Sequence, residues 1–322
     1  MYRVYVDAFS LPEAARMRQM LLAGGEFDVP DIDVNVSGAQ RQRRELLNEA
    51  DFVVLGAPAR GERDPLADIE NRRVRVLRAS GCAVADESWV YGLPELSSSH
   101  RRQIAEAVRV TNPGCCAAGA ILLLRPLVVS GLLAQTAAVS IFCMAGRSAR
   151  GAWPGSEADC TGIAADAAGG AGVRGFGHLL DHPYAAEIRR HALLECMPNF
   201  VAVRGCFDSG TMMYVPLHTA HMNPALPRRV PRLLVEQALM KYYEGSDVLC
   251  VVPGGKEAHA ASPEAAVAAL RPDAQNGTNG VRLHVFGSHD EERLCLAAVY
   301  DNLGKGHCGA VLQNLRIMAG MA

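Results

Sequence analysis

Phe52-Val53-Val54-Leu55 carries no polar side chain on either of the two faces that a strand presents. Successive side chains on a strand point to opposite sides, so such a run needs apolar cover on both. A central strand of a parallel sheet, with helices on each face, meets that need. Around it, the first third of the chain alternates between period-2 and period-3.6 apolar patterns, the signature of βα units. Val4–Val6 reads as a strand. Pro12–Ala23 reads as a helix, with Ser10 as a candidate N-cap and Gly24-Gly25 closing it. Ile32–Val36 reads as a second strand, Gln40–Glu49 as a second helix, and Val74–Leu77 and Val108–Thr111 as further strands. The fold class is α/β, a doubly wound parallel sheet of Rossmann type.

From about residue 117 to residue 299 the texture changes. Strand patterns at Ala137–Cys143, Thr211–Leu217, Val281–Phe286 and Cys295–Tyr300 mix with helical ones at Pro183–Leu194 and Pro231–Tyr243. That mixture predicts an α+β domain. The Gly- and Ala-rich stretch 149–177 reads as a mobile loop. After Asp301 a helical pattern returns, with Gly309–Met318 packing back on the first domain. The expected division is residues 1–114 plus 301–322 as a dinucleotide-binding domain, and residues 115–300 as a catalytic and dimerisation domain.

Composition narrows the function classes. A net charge of −2 with no basic patch argues against nucleic acid. The apolar run 117–129 is interrupted by Arg125 and Pro126 and is too short for a membrane span. The chain opens directly into strand Val4–Val6 with no charged-then-apolar leader, so a cytoplasmic location is expected. The ten cysteines form no C-x-x-C pair; the expectation is reduced thiols and no metal site.

Chemistry concentrates at Thr111-Asn112-Pro113-Gly114-Cys115-Cys116, between an apolar strand and a long apolar helix. Pro113 and Gly114 stop the strand and turn the chain. Cys115 then falls at the first helical turn, where orphan N–H groups and the positive dipole end favour an anion. A thiol there is expected to have a depressed pKa and to serve as a nucleophile. Most cysteines are small core hydrophobes. That reading is kept for Cys116, whose side chain points about 100° away around the helix.

Several segments together resemble N-acetyl-γ-glutamyl-phosphate reductase, the arginine-pathway family, in its shorter bacterial variant. They are Trp89 to Glu95 (W-V-Y-G-L-P-E), Asn112 to Cys115 (N-P-G-C) with Gly119-Ala120-Ile121 and Leu124 to Leu127, Val215 to His218 (V-P-L-H), Asn276 to Asn279, and Asp301 to Gly306 with Gly309 and Gln313-Asn314. Their order and spacing agree over nearly the whole chain. The resemblance implies Cys115 as the nucleophile and His218 as the acid/base, with His221 a weaker candidate. It implies NADPH as cofactor, with Ser80, Gly146, Asn302, Lys305 and Gly306 as binding residues. It also implies an acyl phosphate and its semialdehyde as the small-molecule substrate and product, and a homo-oligomer, dimer or tetramer.

The chain departs from the family pattern at several places. The glycine-rich first loop is replaced by Asp7-Ala8-Phe9-Ser10-Leu11-Pro12-Glu13-Ala14. Without those glycines, backbone N–H groups approach a pyrophosphate less closely, and Pro12 removes a donor. The family's His-Lys-His-x-Pro-Glu stands here as His182-Pro183-Tyr184-Ala185-Ala186-Glu187, and Ser209 replaces an arginine. Arg147, Arg150 or Arg174 are the candidate replacements for anion binding, each equally readable as a solvated loop charge. Two further readings follow: a reductase for a different acyl phosphate, and a homologue that no longer binds a dinucleotide and serves as a binding subunit.

Overall fold

A computed structural model describes the chain except for residues 9–13, 34, 57–62, 80–87, 150–173, 177–179, 227–228, 254–269 and 322. Its described residues fall into two compact units. The first comprises Met1–Pro113 and His307–Ala322, and the second runs from Gly114 to Gly306.

The first unit holds a six-stranded sheet in the order β2-β1-β3-β4-β6-β5, with every pair parallel. The strands are β1 (Tyr2–Val6), β2 (Phe27–Asp28), β3 (Phe52–Leu55), β4 (Arg75–Arg78), β5 (Val90–Tyr91) and β6 (Arg109–Thr111). Helices α1 (Ala14–Ala23), α2 (Ala39–Glu49), α3 (Ser98–Glu106) and α7 (Gly309–Met318) cover it. Alternation along each strand feeds two separate cores. Val4, Val6, Phe52, Val54, Leu77 and Val110 point toward Met17 and Leu21 of α1, Ile104 of α3 and Val311 and Leu315 of α7. Tyr5, Val53, Leu55, Val74 and Val76 point the other way, toward Leu46 and Leu47 of α2. Each such side chain contributes roughly 1.5–3 kcal/mol of burial, which is why the apolar quartet at 52–55 occupies the middle of the sheet.

The second strand is not where the periodicity places it. β2 is Phe27–Asp28, and residues 35–38 form a turn instead of extending a strand over Ile32–Val36. Asp33 explains the difference: its carboxylate accepts the Asn35 backbone N–H at 2.9 Å, a local turn that competes with strand pairing. The Ser10 cap lies outside the described residues.

The second unit holds a seven-stranded mixed sheet, β11-β12-β13-β10-β7-β9-β8. Its strands are β7 (Ser140–Ala145), β8 (Arg174–Phe176), β9 (Asn199–Arg204), β10 (Thr211–His218), β11 (Leu249–Val251), β12 (Val281–Gly287) and β13 (Arg293–Tyr300). The stretch 149–177, expected to be a loop, contributes strand β8, which pairs antiparallel with β9; most of the remainder lies outside the described residues. One face of this sheet carries Cys143, Met213, Val215 and Leu296, all buried, and helix α4 (Cys115–Val129) contacts β10 and β13. Helices α5 (Pro183–Ala192) and α6 (Arg232–Tyr242) flank α4. The other face alternates out of phase and leaves Phe142, Met144, Met212 and Tyr214 half-buried and Val201 exposed.

Helix α4 contains Pro126, which supplies no N–H to the Leu122 carbonyl one turn earlier. The Tyr243 hydroxyl donates to that carbonyl instead, at 2.7 Å. Its neighbour Arg125 donates to the His191 carbonyl at 2.7 Å, at the basic C-terminal turn of α5. The two residues that interrupt the apolar run thus each tie α4 to a flanking helix. Among the described residues no helix is long and apolar enough to cross a membrane.

Candidate active site

Strand β6 ends at Thr111, and Asn112-Pro113-Gly114 turns the chain into α4. Asn112 is fully buried and holds this turn within the first unit. Its backbone N–H donates to the Arg78 carbonyl at 2.8 Å, its amide donates to the His307 carbonyl at 3.2 Å, and its amide oxygen accepts from Asn314 at 3.1 Å. Gly114 is extended (φ −63°, ψ 140°) and caps α4. Its N–H donates to the Glu187 carboxylate at 2.8 Å, so a side chain from α5 places negative charge at the positive end of α4. A Cβ at position 114 would stand 2.2 Å from the Tyr184 ring, so glycine is what lets that ring approach.

Cys115 is the first residue of α4 and is half-buried. Its sulfur lies 3.6 Å from the Tyr184 hydroxyl and 3.7 Å from the Cys116 sulfur. Its carbonyl accepts the Tyr300 hydroxyl at 2.7 Å, and the Tyr300 ring lies so close to α4 that a Cβ at Gly119 would fall 2.6 Å from it. Thr211, the cross-strand partner of Tyr300, carries a buried hydroxyl with no partner among the described residues. Behind the site, Cys143 on β7 reaches the Cys116 sulfur at 3.0 Å.

The thiol is not poised as its place at a helix start suggests. The hydrogen bond with Cys116, then burial, push the Cys115 pKa well above the ordinary thiol range, and the contact with Tyr184 and the Cys116 backbone N–H pull it only part of the way back. The expected depression is therefore corrected: a neighbouring thiol and desolvation outweigh the helix end, whose cap position already faces Glu187.

Tyr184 owes its position to the start of α5. His182 caps that helix by accepting the Tyr184 N–H on Nδ1 at 3.2 Å, and Pro183 fixes the first helical φ. The His182 ring also packs at 4.4 Å on the Tyr184 ring and at 5.1 Å on Phe200. Burial lowers the His182 pKa to about 4, so the ring is neutral near pH 7 and can accept that N–H.

His218 is elsewhere. It is the last residue of β10, whereas Thr211 at the other end of the strand is the partner of Tyr300 and so lies on the Cys115 side. Seven strand steps of about 3.3 Å separate the two ends by roughly 23 Å. The His218 ring is exposed at a turn, where Nδ1 accepts the Ala220 N–H at 3.1 Å and His221 bonds back to its backbone. The expected Cys115–His218 pairing is therefore not made; among the described residues the hydroxyl facing the sulfur is that of Tyr184. Nothing in the V-P-L-H run distinguishes a strand-end turn histidine from an acid/base. The signal that does find the site is the helix-start pattern His182-Pro183-Tyr184 followed by Glu187.

Of the residues expected to hold a cofactor, Ser80 lies outside the described residues. Asn302 is buried and is a brace: its amide oxygen accepts the Gly210 N–H at 2.7 Å and its nitrogen donates to Ser148 at 3.0 Å. Gly146 lets β7 run against the 208–210 backbone, where a Cβ would fall 2.7 Å from the Asp208 carbonyl oxygen. Lys305 is completely buried. Gly306 abuts Cys115, whose Cβ would be 3.3 Å from a Cβ placed at 306. Arg147 is paired with Asp208.

The carboxyl edge of the first sheet is where doubly wound folds bind dinucleotides, at the point where strand order reverses. Here that point lies between β1 and β3. Asp7 follows β1, is fully buried, and is held by Arg43 at 2.8 and 2.9 Å. Further along the same edge, Arg78 at the end of β4 pairs with Asp64 at 2.8 Å and lies over the Trp89 ring at 5.0 Å. The Arg78 Nε and the Thr111 hydroxyl are buried without partners among the described residues. Those two orphaned groups, in register on adjacent strands, fit the polar atoms of a nucleotide at this edge.

Residues 115–302 match the sequence profile described as semialdehyde dehydrogenase, dimerisation domain. An N-acetyl-gamma-glutamyl-phosphate reductase of Burkholderia cenocepacia is 37% identical over 279 residues, 87% of this chain and 85% of that one. The protein of the same name from a Chelativorans species is 34% identical over 316 residues, 98% and 97% of the two chains. Among solved structures, aspartate semialdehyde dehydrogenase II from Vibrio cholerae superposes with a TM-score of 0.63 at 11% identity, covering 99% of this chain and 98% of the other. The aspartate semialdehyde dehydrogenase of Francisella tularensis gives 0.62 at 12% identity, covering 99% and 100%. At these identities the likeness establishes the shared fold.

Proposed function

Because the chain belongs to the N-acetyl-gamma-glutamyl-phosphate reductase family, we propose that it reduces an acyl phosphate, N-acetyl-γ-glutamyl phosphate or a close analogue, to the semialdehyde through a thioester on Cys115. The single observation that carries the chemistry is Cys115 at the start of α4, with a tyrosine hydroxyl 3.6 Å from its sulfur and its backbone pinned by Tyr300.

Cys115 passes its proton by way of the Tyr184 hydroxyl to the departing phosphate as its sulfur attacks the acyl carbon. The C–O bond to phosphate breaks, phosphate departs, and a thioester remains. A thioester carbonyl accepts hydride more readily than a carboxylate does. NADPH, when bound, would supply that hydride. Arg78 and Thr111 would help hold the nucleotide at the edge of the first sheet. Hydride addition leaves a hemithioacetal alkoxide; its carbonyl re-forms, the C–S bond breaks, and the aldehyde leaves with Cys115 as thiolate, which takes up a proton before the next cycle. Tyr184 is the group in reach to pass that proton, in place of His218. The N–H groups in the first turn of α4 are the donors available to the tetrahedral oxygen.

The profile match concerns a dimerisation domain, and a homo-oligomer, dimer or tetramer, is part of this reading. The half-exposed apolar face of the second sheet, with Phe142, Met144, Val201, Met212 and Tyr214, is the surface suited to self-association. A cytoplasmic location accompanies a biosynthetic role.

The test runs in reverse. Purified protein with N-acetylglutamate semialdehyde, inorganic phosphate and NADP should form NADPH in a phosphate-dependent way, and Cys115→Ala should abolish the signal. No reduction at high enzyme concentration with a panel of aldehydes, with either NADP or NAD, would overturn the proposal.

A further inference from the structure

Three sulfur atoms stand in succession within the second unit. Cys143 lies 3.0 Å from Cys116, and Cys116 lies 3.7 Å from Cys115. The outer sulfur belongs to a half-buried residue, whereas Cys116 and Cys143 are 1% and 0% exposed. They come from different elements, the first turn of α4 and the buried face of β7. The thioester chemistry uses only Cys115. Packing alone asks for small apolar side chains behind it, and Ala would serve at either inner position. Two thiols at 3.0 Å are instead about 1 Å from the separation of a disulfide, roughly 2.05 Å. Closing that gap, and joining the adjacent Cys115 and Cys116, requires the first turn of α4 to open against the Tyr300 hydrogen bond.

We propose that Cys116 and Cys143 form a resolving dithiol that carries oxidation away from Cys115. The oxidant is a hydroperoxide. The Cys115 thiolate attacks its terminal oxygen; an S–O bond forms, the O–O bond breaks, and the alcohol (water, from hydrogen peroxide) leaves, making Cys115 a sulfenic acid. The Cys116 thiolate then attacks the Cys115 sulfur. An S–S bond forms, the S–O bond breaks, and hydroxide takes up a proton to leave as water. Cys143 next attacks the Cys116 sulfur, and Cys115 leaves as thiolate. In sum, the two inner thiols give up two electrons and two protons. The peroxide is reduced to alcohol and water, and the nucleophile ends as it began. The remaining disulfide ties α4 to β7 and returns to the dithiol with an external thiol reductant.

This inference needs a reactive sulfur at position 115 but no particular substrate, so its test reads thiol states, not reductase activity. The full chain is treated with graded hydrogen peroxide, quenched with N-ethylmaleimide and mapped by mass spectrometry, alongside C116A and C143A. The wild type should yield a Cys116–Cys143 disulfide with Cys115 still alkylatable. C143A should stop at a Cys115–Cys116 disulfide. C116A should accumulate sulfinic acid at Cys115 several-fold faster than the wild type. A wild-type protein in which Cys143 stays fully alkylatable while Cys115 oxidises would overturn the proposal without recourse to any variant. So would equal rates of Cys115 over-oxidation in wild type and C116A.

Discussion

Acid should loosen the tyrosine that faces the candidate nucleophile, by way of His182. The imidazole is 8% exposed and accepts the Tyr184 N–H on Nδ1. A proton on that nitrogen removes the acceptor and places a charge among the Tyr184 and Phe200 rings. Burial lowers the folded-state pKa from the ordinary 6.5 to about 4. In the unfolded chain the ring protonates near 6.5, so below that pH the unfolded state binds more protons than the folded one. Stability linked to this group is therefore complete above pH 6.5, falls as the pH drops toward 4, and falls no further below it. At roughly 1.4 kcal/mol per pKa unit the loss is at most about 3.5 kcal/mol. Screening at a site that is not wholly desolvated brings it to about 2 kcal/mol. Asn caps helices without titrating, so His182→Asn isolates the effect from carboxylates that titrate in the same range. Urea unfolding of both proteins at pH 7.5, 6, 5 and 4 should show the wild type losing about 2 kcal/mol more than H182N over that span. Curves that keep a constant separation would refute the assignment of a neutral, capping imidazole.

Two further outcomes concern the sulfur itself. Tyr184→Phe keeps the ring that packs on His182 and Phe200 but removes the hydroxyl beside Cys115; reductase kcat should fall roughly 10²-fold or more with little change in Tm, and Tyr184→His should recover part of the rate with a pH profile shifted toward neutrality. Unchanged kcat in Y184F would remove Tyr184 from the proton path. Cys116→Ala deletes the largest cause of the raised Cys115 pKa, so iodoacetamide should alkylate Cys115 faster at pH 7.5, with the rate reaching its plateau at lower pH than in the wild type. An alkylation profile identical to that of the wild type would refute the role given to the Cys116 thiol.

Much of this architecture is legible in the residues. The apolar quartet at Phe52–Leu55, the alternating βα periods and the Pro113-Gly114 turn are local signals, and each acts where it stands: a central strand, helices on both faces, a helix beginning at Cys115. The second strand misleads because Asp33 prefers a local hydrogen bond to a ladder, a competition that apolar periodicity does not register. The site is half legible. Cys115 follows from its turn. Its surroundings do not, because Tyr184 and Tyr300 reach it, and Cys143 reaches its neighbour Cys116, through sheet register and helix packing. His218 shows the reverse failing: a histidine after an apolar strand looks reactive in a string, yet strand length alone carries it to the opposite end of β10. The thiol pKa fails for the same reason, since a helix start predicts an anion only when nothing else crowds the sulfur.

The contact between Gly119 and Tyr300 has a consequence for how this protein can vary. Backbone meets aromatic ring there with no spacer, and the same ring fastens the carbonyl of the residue that bears the reactive sulfur. Any larger residue at 119 must tilt the phenol and so drag the nucleophile with it, while trimming the phenol leaves a void against bare helix. The two positions can change only in concert, and a library that varies them one at a time will find nothing but losses.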